Sequence, residues 1–168
     1  TWTNMGLADT QHIAKIAIHP RDPNVVYVAA MGRLYSRNSE RGVYKTTDGG
    51  ATWKKLLFVN DGVGVIDLAM DPADANILYA ATYDKDRMPW QIVNGGPGSG
   101  IYKSTDAGAT WVKLGGGLPT GKIGRIGLDI YRRNPKILYA VIENSNAKPG
   151  TTPAANGRVD VWGGEVYR

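Results

Sequence analysis

Two stretches of the sequence place a carboxylate between hydroxyls at one fixed spacing. They are Thr46-Thr47-Asp48-Gly49-Gly50-Ala51-Thr52-Trp53 and Ser104-Thr105-Asp106-Ala107-Gly108-Ala109-Thr110-Trp111. A carboxylate among hydroxyls could hold a calcium ion or move a proton. The same residue types also build a tight turn, in which the Asp accepts backbone N–H bonds around the tip. Gly50 and Gly108 can take the positive φ that such a turn needs, and Trp53 and Trp111 can bury a large apolar area beneath it. A motif that recurs cannot mark a unique active site. The expectation is therefore structural for Thr46, Asp48, Gly50, Thr52, Trp53, Ser104, Asp106, Gly108, Thr110 and Trp111. No metal ligand and no catalytic residue is assigned among them.

The turns belong to a longer repeat. Gly42-Val43-Tyr44-Lys45 precedes the first and Gly100-Ile101-Tyr102-Lys103 the second. A second motif alternates with it: Ile16–Ala29 matches Leu68–Ala81 and returns as Ile126–Val141. Thr1-Trp2 reads as the end of an earlier copy, and Val166-Tyr167-Arg168 as the start of a later one. Tyr44–Trp53 and Tyr102–Trp111 are equally spaced, whereas Tyr27–Tyr44, Tyr79–Tyr102 and Tyr139–Tyr167 grow progressively longer. One loop per repeat carries nearly all the length variation.

Each repeat holds four short alternating segments, typified by Lys15–His19 (strand A), Val25–Ala30 (B), Gly42–Thr46 (C) and Thr52–Phe58 (D). Four strands in roughly 50–60 residues is the size of one propeller blade. The fold class expected is all-β: a β-propeller of four-stranded antiparallel blades, here about three blades of a larger ring. The blade units fall at about 2–52, 53–110 and 111–168 of a partial propeller over 1–168. A ring needs more than three blades, so further blades are expected as partners.

Chain direction sorts the connections onto two faces. The A–B turns and the Asp turns share one. The B–C loops (Met31–Arg41, Thr82–Ser99 and Ile142–Gly164) share the other with the D–A connections. Variable loops on a rigid scaffold are where binding concentrates. The binding candidates there are Arg33, Tyr35, Arg37, Arg87, Trp90, Trp162, Asp61 and His12, since Arg with Tyr or Trp suits glycan stacking or a protein hot spot. His12 opens strand A and is expected to make a local hydrogen bond. A glycosidase would need two facing carboxylates. Asp9, Asp61, Asp84, Asp86 and Glu143 lie on this face, and no spacing among them selects a pair.

Composition narrows the rest. The absence of cysteine excludes disulfides, thiolate metal sites and a Cys nucleophile. The net charge of +5 comes from Lys and Arg spread along the chain, unlike a nucleic-acid footprint. No apolar run approaches the ~20 residues of a membrane span. No cofactor is expected.

With both Asp turns, Asp9-Thr10-Gln11-His12-Ile13 and the Pro89-Trp90 to Ser99-Gly100 loop in view, the chain resembles Asp-box (BNR) propellers. These include sortilin-type receptors, bacterial sialidases and xyloglucanases. The nearest likeness is to bacterial sortilin-like, glycosyl-hydrolase-repeat secreted proteins. That resemblance implies an extracytoplasmic propeller without one agreed activity. A sialidase would need an arginine cluster, for which Arg33, Arg87 and Arg125 stand on the expected face, but its Arg-Ile-Pro motif is missing. The reading favoured from sequence is a non-catalytic binding or assembly module that presents its B–C loops to a protein, peptide or glycan. The alternative is a glycoside hydrolase, xyloglucanase- or sialidase-like, with its carboxylates on the B–C/D–A face.

Overall fold

A computed structural model describes residues 1–168. β-branched and aromatic residues alternate with polar or small ones in every repeat, and these runs become strands. In the first sheet β1 (Ile13–Ile18), β2 (Val26–Ala30), β3 (Gly42–Thr46) and β4 (Lys54–Leu57) pair antiparallel in chain order. The second sheet contains β5 (Val63–Met70) and β6 (Leu78–Met88). A side hairpin strand, β7 (Gln91–Asn94), pairs only with β6, and the sheet continues with β8 (Gly100–Ser104) and β9 (Val112–Lys113). The third holds β10 (Ile123–Ile130), β11 (Leu138–Ala147) and β12 (Val161–Tyr167). The three sheets are successive blades of a β-propeller, as expected.

Two of the variable loops are more ordered than expected. Within Thr82–Ser99, β6 runs on to Met88 and turns back as β7, pairing Lys85 with Asn94 and Met88 with Gln91. Within Ile142–Gly164, β11 extends to Ala147 and pairs with Val161. The physical reason is alternation that continues past the blade: Tyr83, Lys85 and Arg87 point one way along β6, Asp84 and Asp86 the other. The hairpin base is locked to the next blade, where Gly96 donates to the Ile123 carbonyl at 3.0 Å.

The core lies between blades. Tyr27, Ala29, Val43 and Leu57 of the first sheet pack on Val65, Leu68, Leu78 and Ala80 of the second. Tyr79, Ala81 and Ile101 pack on Ile123, Ile126, Ile130, Ala140 and Ile142 of the third. The two outward faces expose apolar side chains: Ile16 and Ile18 on β1, Val141 and Val166 on the third sheet.

The innermost strands share an irregularity. Register slips between Ile13 and Lys15, between Val65 and Asp67, and between Ile123 and Ile126. Such bulges re-aim the residue that follows. Asp67 is thereby turned inward, where one oxygen accepts Leu128 N–H at 2.9 Å and the other meets Lys15 Nζ at 3.7 Å. One carboxylate thus ties the inner strands of all three blades.

Candidate functional site

The two Asp turns share one bonding pattern. In the first, Asp48 Oδ1 accepts from the Thr46 hydroxyl at 2.6 Å and from Thr52 N–H at 2.9 Å; the Thr52 hydroxyl donates to Oδ2 at 2.6 Å. Asp106 makes the same three bonds with Ser104 and Thr110, at 2.8, 2.8 and 2.6 Å. Gly50 and Gly108 adopt φ of 97° and 86°. Donated hydroxyl and N–H bonds hold both carboxyls well below the usual range, at about 2. Both turns join the A–B turn of their own blade: Gly49 N–H donates to the Asn24 carbonyl at 3.0 Å and Ala107 N–H to the Asn76 carbonyl at 2.9 Å. Each carboxylate thus accepts three bonds from its own turn.

Trp111 closes its own turn, its indole N–H donating to the Gly108 carbonyl at 3.0 Å while the ring joins the first interblade core. Trp53 instead donates to the Met5 carbonyl at 2.7 Å and packs with Leu7.

The opposite face gathers the B–C loops and D–A connections, as chain direction required. Met31 N–H donates to the His12 carbonyl at 2.8 Å, and Asn38 N–H to the Asp61 carbonyl at 3.1 Å. Here the structure divides the sequence candidates into three groups.

The first group is an aromatic platform. Tyr35 from the first blade is 63 % exposed, and the Arg87 guanidinium stands 5.6 Å from its ring centroid. Trp90, at the tip of the β6–β7 hairpin, is 79 % exposed. With Met88, Gln91 and Ile92 these residues line a shallow depression of about 320 Å³. Flat apolar rings beside a planar cation make a surface on which a sugar ring can stack.

The second group is an ion-paired tie between blades. Arg37 sits between Asp86, 3.3 Å from Nε, and Asp61, 3.7 Å from a terminal nitrogen. Arg37 and Asp61 are spent on each other and on Asp86. Glu143 is likewise engaged: it accepts from the Asn94 amide at 2.5 Å and from Arg125 N–H at 3.2 Å. Asp84 accepts Gly98 N–H at 3.1 Å.

The third group lines a cavity of about 330 Å³ where the three blades converge. His12 lies there with its Nδ1 2.9 Å from the carbonyl of Gly32 in the first B–C loop. Arg33 and Arg125 also line it, joined by Arg41 and Lys85, which sequence reasoning had left among the unselected loop residues. Arg41 is buried at 3 % exposure and donates to four acceptors: Asn38 Oδ1 and the carbonyls of Gly62, Arg33 and Ser36, at 3.0–3.2 Å. Burial pushes its pKa down, and burial together with Arg87, Arg41 and Arg125 pushes Lys85 down. Arg87, grouped in sequence with Arg33 and Arg125, stands apart on the platform. Trp162 lies on β12 of the third blade, 49 % exposed and outside all three groups.

Asp67 was the structural residue that sequence reasoning missed. The available signal was its position: Lys15, Asp67 and Arg125 each directly precede the repeated apolar motif. A carboxylate between two cations at equivalent positions of neighbouring blades marks an interblade contact.

No family model matches the chain. It is 32 % identical over 112 residues to a xyloglucanase of Acetivibrio thermocellus, covering 61 % of this chain and 12 % of that enzyme. It is 32 % identical over 158 residues to a xyloglucanase of a Paenibacillus species, covering 88 % of this chain and 14 % of the enzyme. A vacuolar protein sorting/targeting protein 10 of Colletotrichum graminicola is 30 % identical over 86 residues, 51 % of this chain and 5 % of that protein. The chain therefore spans about an eighth of the length of the xyloglucanases it matches. Among solved structures, an ancestral GH74 enzyme superposes with a TM-score of 0.53 at 13 % identity, over 81 % of this chain and 16 % of that one. The propeller fold is shared with that enzyme, and the sequence is similar both to xyloglucanases and to a vacuolar protein sorting/targeting protein.

Proposed function

We propose that this chain is a section of a polysaccharide-acting propeller of glycoside hydrolase type, and that it supplies a glycan-contacting surface on the B–C/D–A face. The observation that carries this is the exposed Tyr35–Arg87–Trp90 platform. It stands on the face with the variable loops, in a chain similar to two xyloglucanases. The two turns fit the Asp-box pattern, and the blades are best drawn along the sheets, 13–57, 63–113 and 123–167. Further blades would cover Ile16, Ile18, Val141 and Val166. A cell-wall polysaccharide such as xyloglucan lies outside the cell, so an extracytoplasmic setting goes with this reading; recovery of the intact protein solely from cytosol would contradict it.

The test is depolymerisation of xyloglucan by the intact protein that carries this chain, followed as new reducing ends. Trp90→Ala should raise KM about tenfold with little change in kcat, because a remote stacking residue binds ground and transition states alike. An intact protein inert on xyloglucan and related β-glucans would reject the hydrolase reading. The similarity to the sorting protein favours a second reading, a non-catalytic module that binds a protein, peptide or glycan. On that reading the intact protein binds its ligand without cleaving it, and Trp90→Ala still abolishes capture on a glycan or peptide array.

A further inference from the structure

The structure assigns the cavity at the convergence of the three blades as a subsite for the carboxylate of a sugar acid, such as a uronic acid within an oligosaccharide. The inference rests on the reading of this face as glycan-contacting and deepens it.

The cavity is lined by His12, Arg33, Arg41, Lys85 and Arg125, with no Asp or Glu in its lining. No carboxylate lies within ion-pairing distance of Arg33, Arg41, Lys85 or Arg125. The nearest acids are held elsewhere. Strand alternation turns Asp84 and Asp86 away from Lys85, to Gly98 N–H and to Arg37 respectively. Asp61 is on Arg37, and Glu143 is held by Asn94 and Arg125 N–H. Arg41 is fixed by neutral carbonyl and amide oxygens alone, so its charge is oriented without a direct ion pair, and Asp86, Asp61 and Asp84 act on it only at longer range. A buried cation without a direct partner is costly to fold, and an arriving anion relieves that cost.

The same cavity is also lined by the apolar Ile13, Met31, Leu34 and Ile66, with Tyr83. A free phosphate or chloride would leave these apolar side chains without a partner. A pyranose ring bearing a carboxylate offers C–H groups to the apolar side chains and two oxygens to the Arg and Lys donors. The volume of about 330 Å³ falls in the range of small-ligand sites.

The test uses titration calorimetry on the intact protein with three probes: a trigalacturonate, a neutral xyloglucan heptasaccharide and inorganic phosphate. Trigalacturonate is expected to bind at least about tenfold more tightly than phosphate. Lys85→Gln and Arg125→Gln are each expected to weaken it about tenfold, the scale of one charge-assisted hydrogen bond. Lys122→Gln, an equal charge change outside the cavity, should leave it unchanged, and unchanged melting of all three variants verifies folding. Equal affinity for trigalacturonate and phosphate would overturn the subsite, as would indifference to Lys85→Gln and Arg125→Gln. In that event the neutral heptasaccharide still binds through Trp90. Loss of binding to every glycan overturns the underlying reading as well.

Discussion

Ala107 occupies the left-handed region, φ 57°, where the matching residue of the first Asp turn is Gly49 at φ 71°. Its carbonyl accepts from Tyr27 Oη at 3.0 Å and Lys45 Nζ at 3.3 Å, both on the preceding blade. The interblade bonds hold an L-residue where glycine is more comfortable. Ala107→Gly is expected to stabilise the fold by about 0.5–1 kcal/mol, the relief of side-chain strain exceeding the added backbone entropy of the unfolded chain. Thermal melting checks this, and a lower midpoint would show that Ala107 is unstrained. Asp48 and Asp106 give a second residue-scale prediction. A carboxyl whose pKa falls on folding from about 3.8 to about 2 stabilises the fold fully above the unfolded value and loses that contribution as pH drops through the folded one. Stability should therefore decline between about pH 4 and pH 2. Asp48→Asn with Asp106→Asn should flatten that part of the melting profile while lowering stability at neutral pH. An unaltered slope would mean that other groups set the acid limb.

At the scale of elements, the bulge in β5 turns Asp67 toward β1 and β10 at once. Asp67→Ala leaves Leu128 N–H without its acceptor, and a loss of about 1–3 kcal/mol follows for an unpaired, part-buried donor. Asp67→Asn, which keeps an acceptor oxygen, should recover much of that loss. Equal melting of wild type and Asp67→Ala would contradict the clip. The elements also show what was readable from sequence. Strand C was legible to the residue at Gly42–Thr46, because the glycine before the strand and the Asp turn after it bracket the run. The β6–β7 hairpin was not. Lys85–Asn94 is charged, with Pro89 in its middle, so its composition reads as a loop. Its pairing is decided by cross-strand bonds and by the tie from Gly96 to the third blade.

At the scale of the whole molecule, the repeat announced the propeller and chain direction announced its two faces, since both follow from pattern alone. The grouping within the B–C face did not follow. Arg33, Arg87 and Arg125 look alike in the sequence, one per blade. Only the three-dimensional path of β6 sends Arg87 to Tyr35 and leaves Lys85 with Arg33 and Arg125. The outward faces carry a prediction of their own. Exposed Ile16 and Ile18 lie on the edge strand β1 and Val166 on the edge strand β12, with Val141 exposed on the neighbouring β11, and open edges beside apolar patches favour association. An isolated 168-residue chain should melt without cooperativity or associate; a monomer with one sharp transition would refute this. The central claim is that the B–C/D–A face contacts glycan through Tyr35, Arg87 and Trp90. Its most direct test is the affinity of the intact protein for a xyloglucan oligosaccharide, measured for wild type and Trp90→Ala side by side. The account predicts binding that Trp90→Ala weakens about tenfold with the melting temperature unchanged. Equal affinity in the two proteins, or none in either, would contradict it.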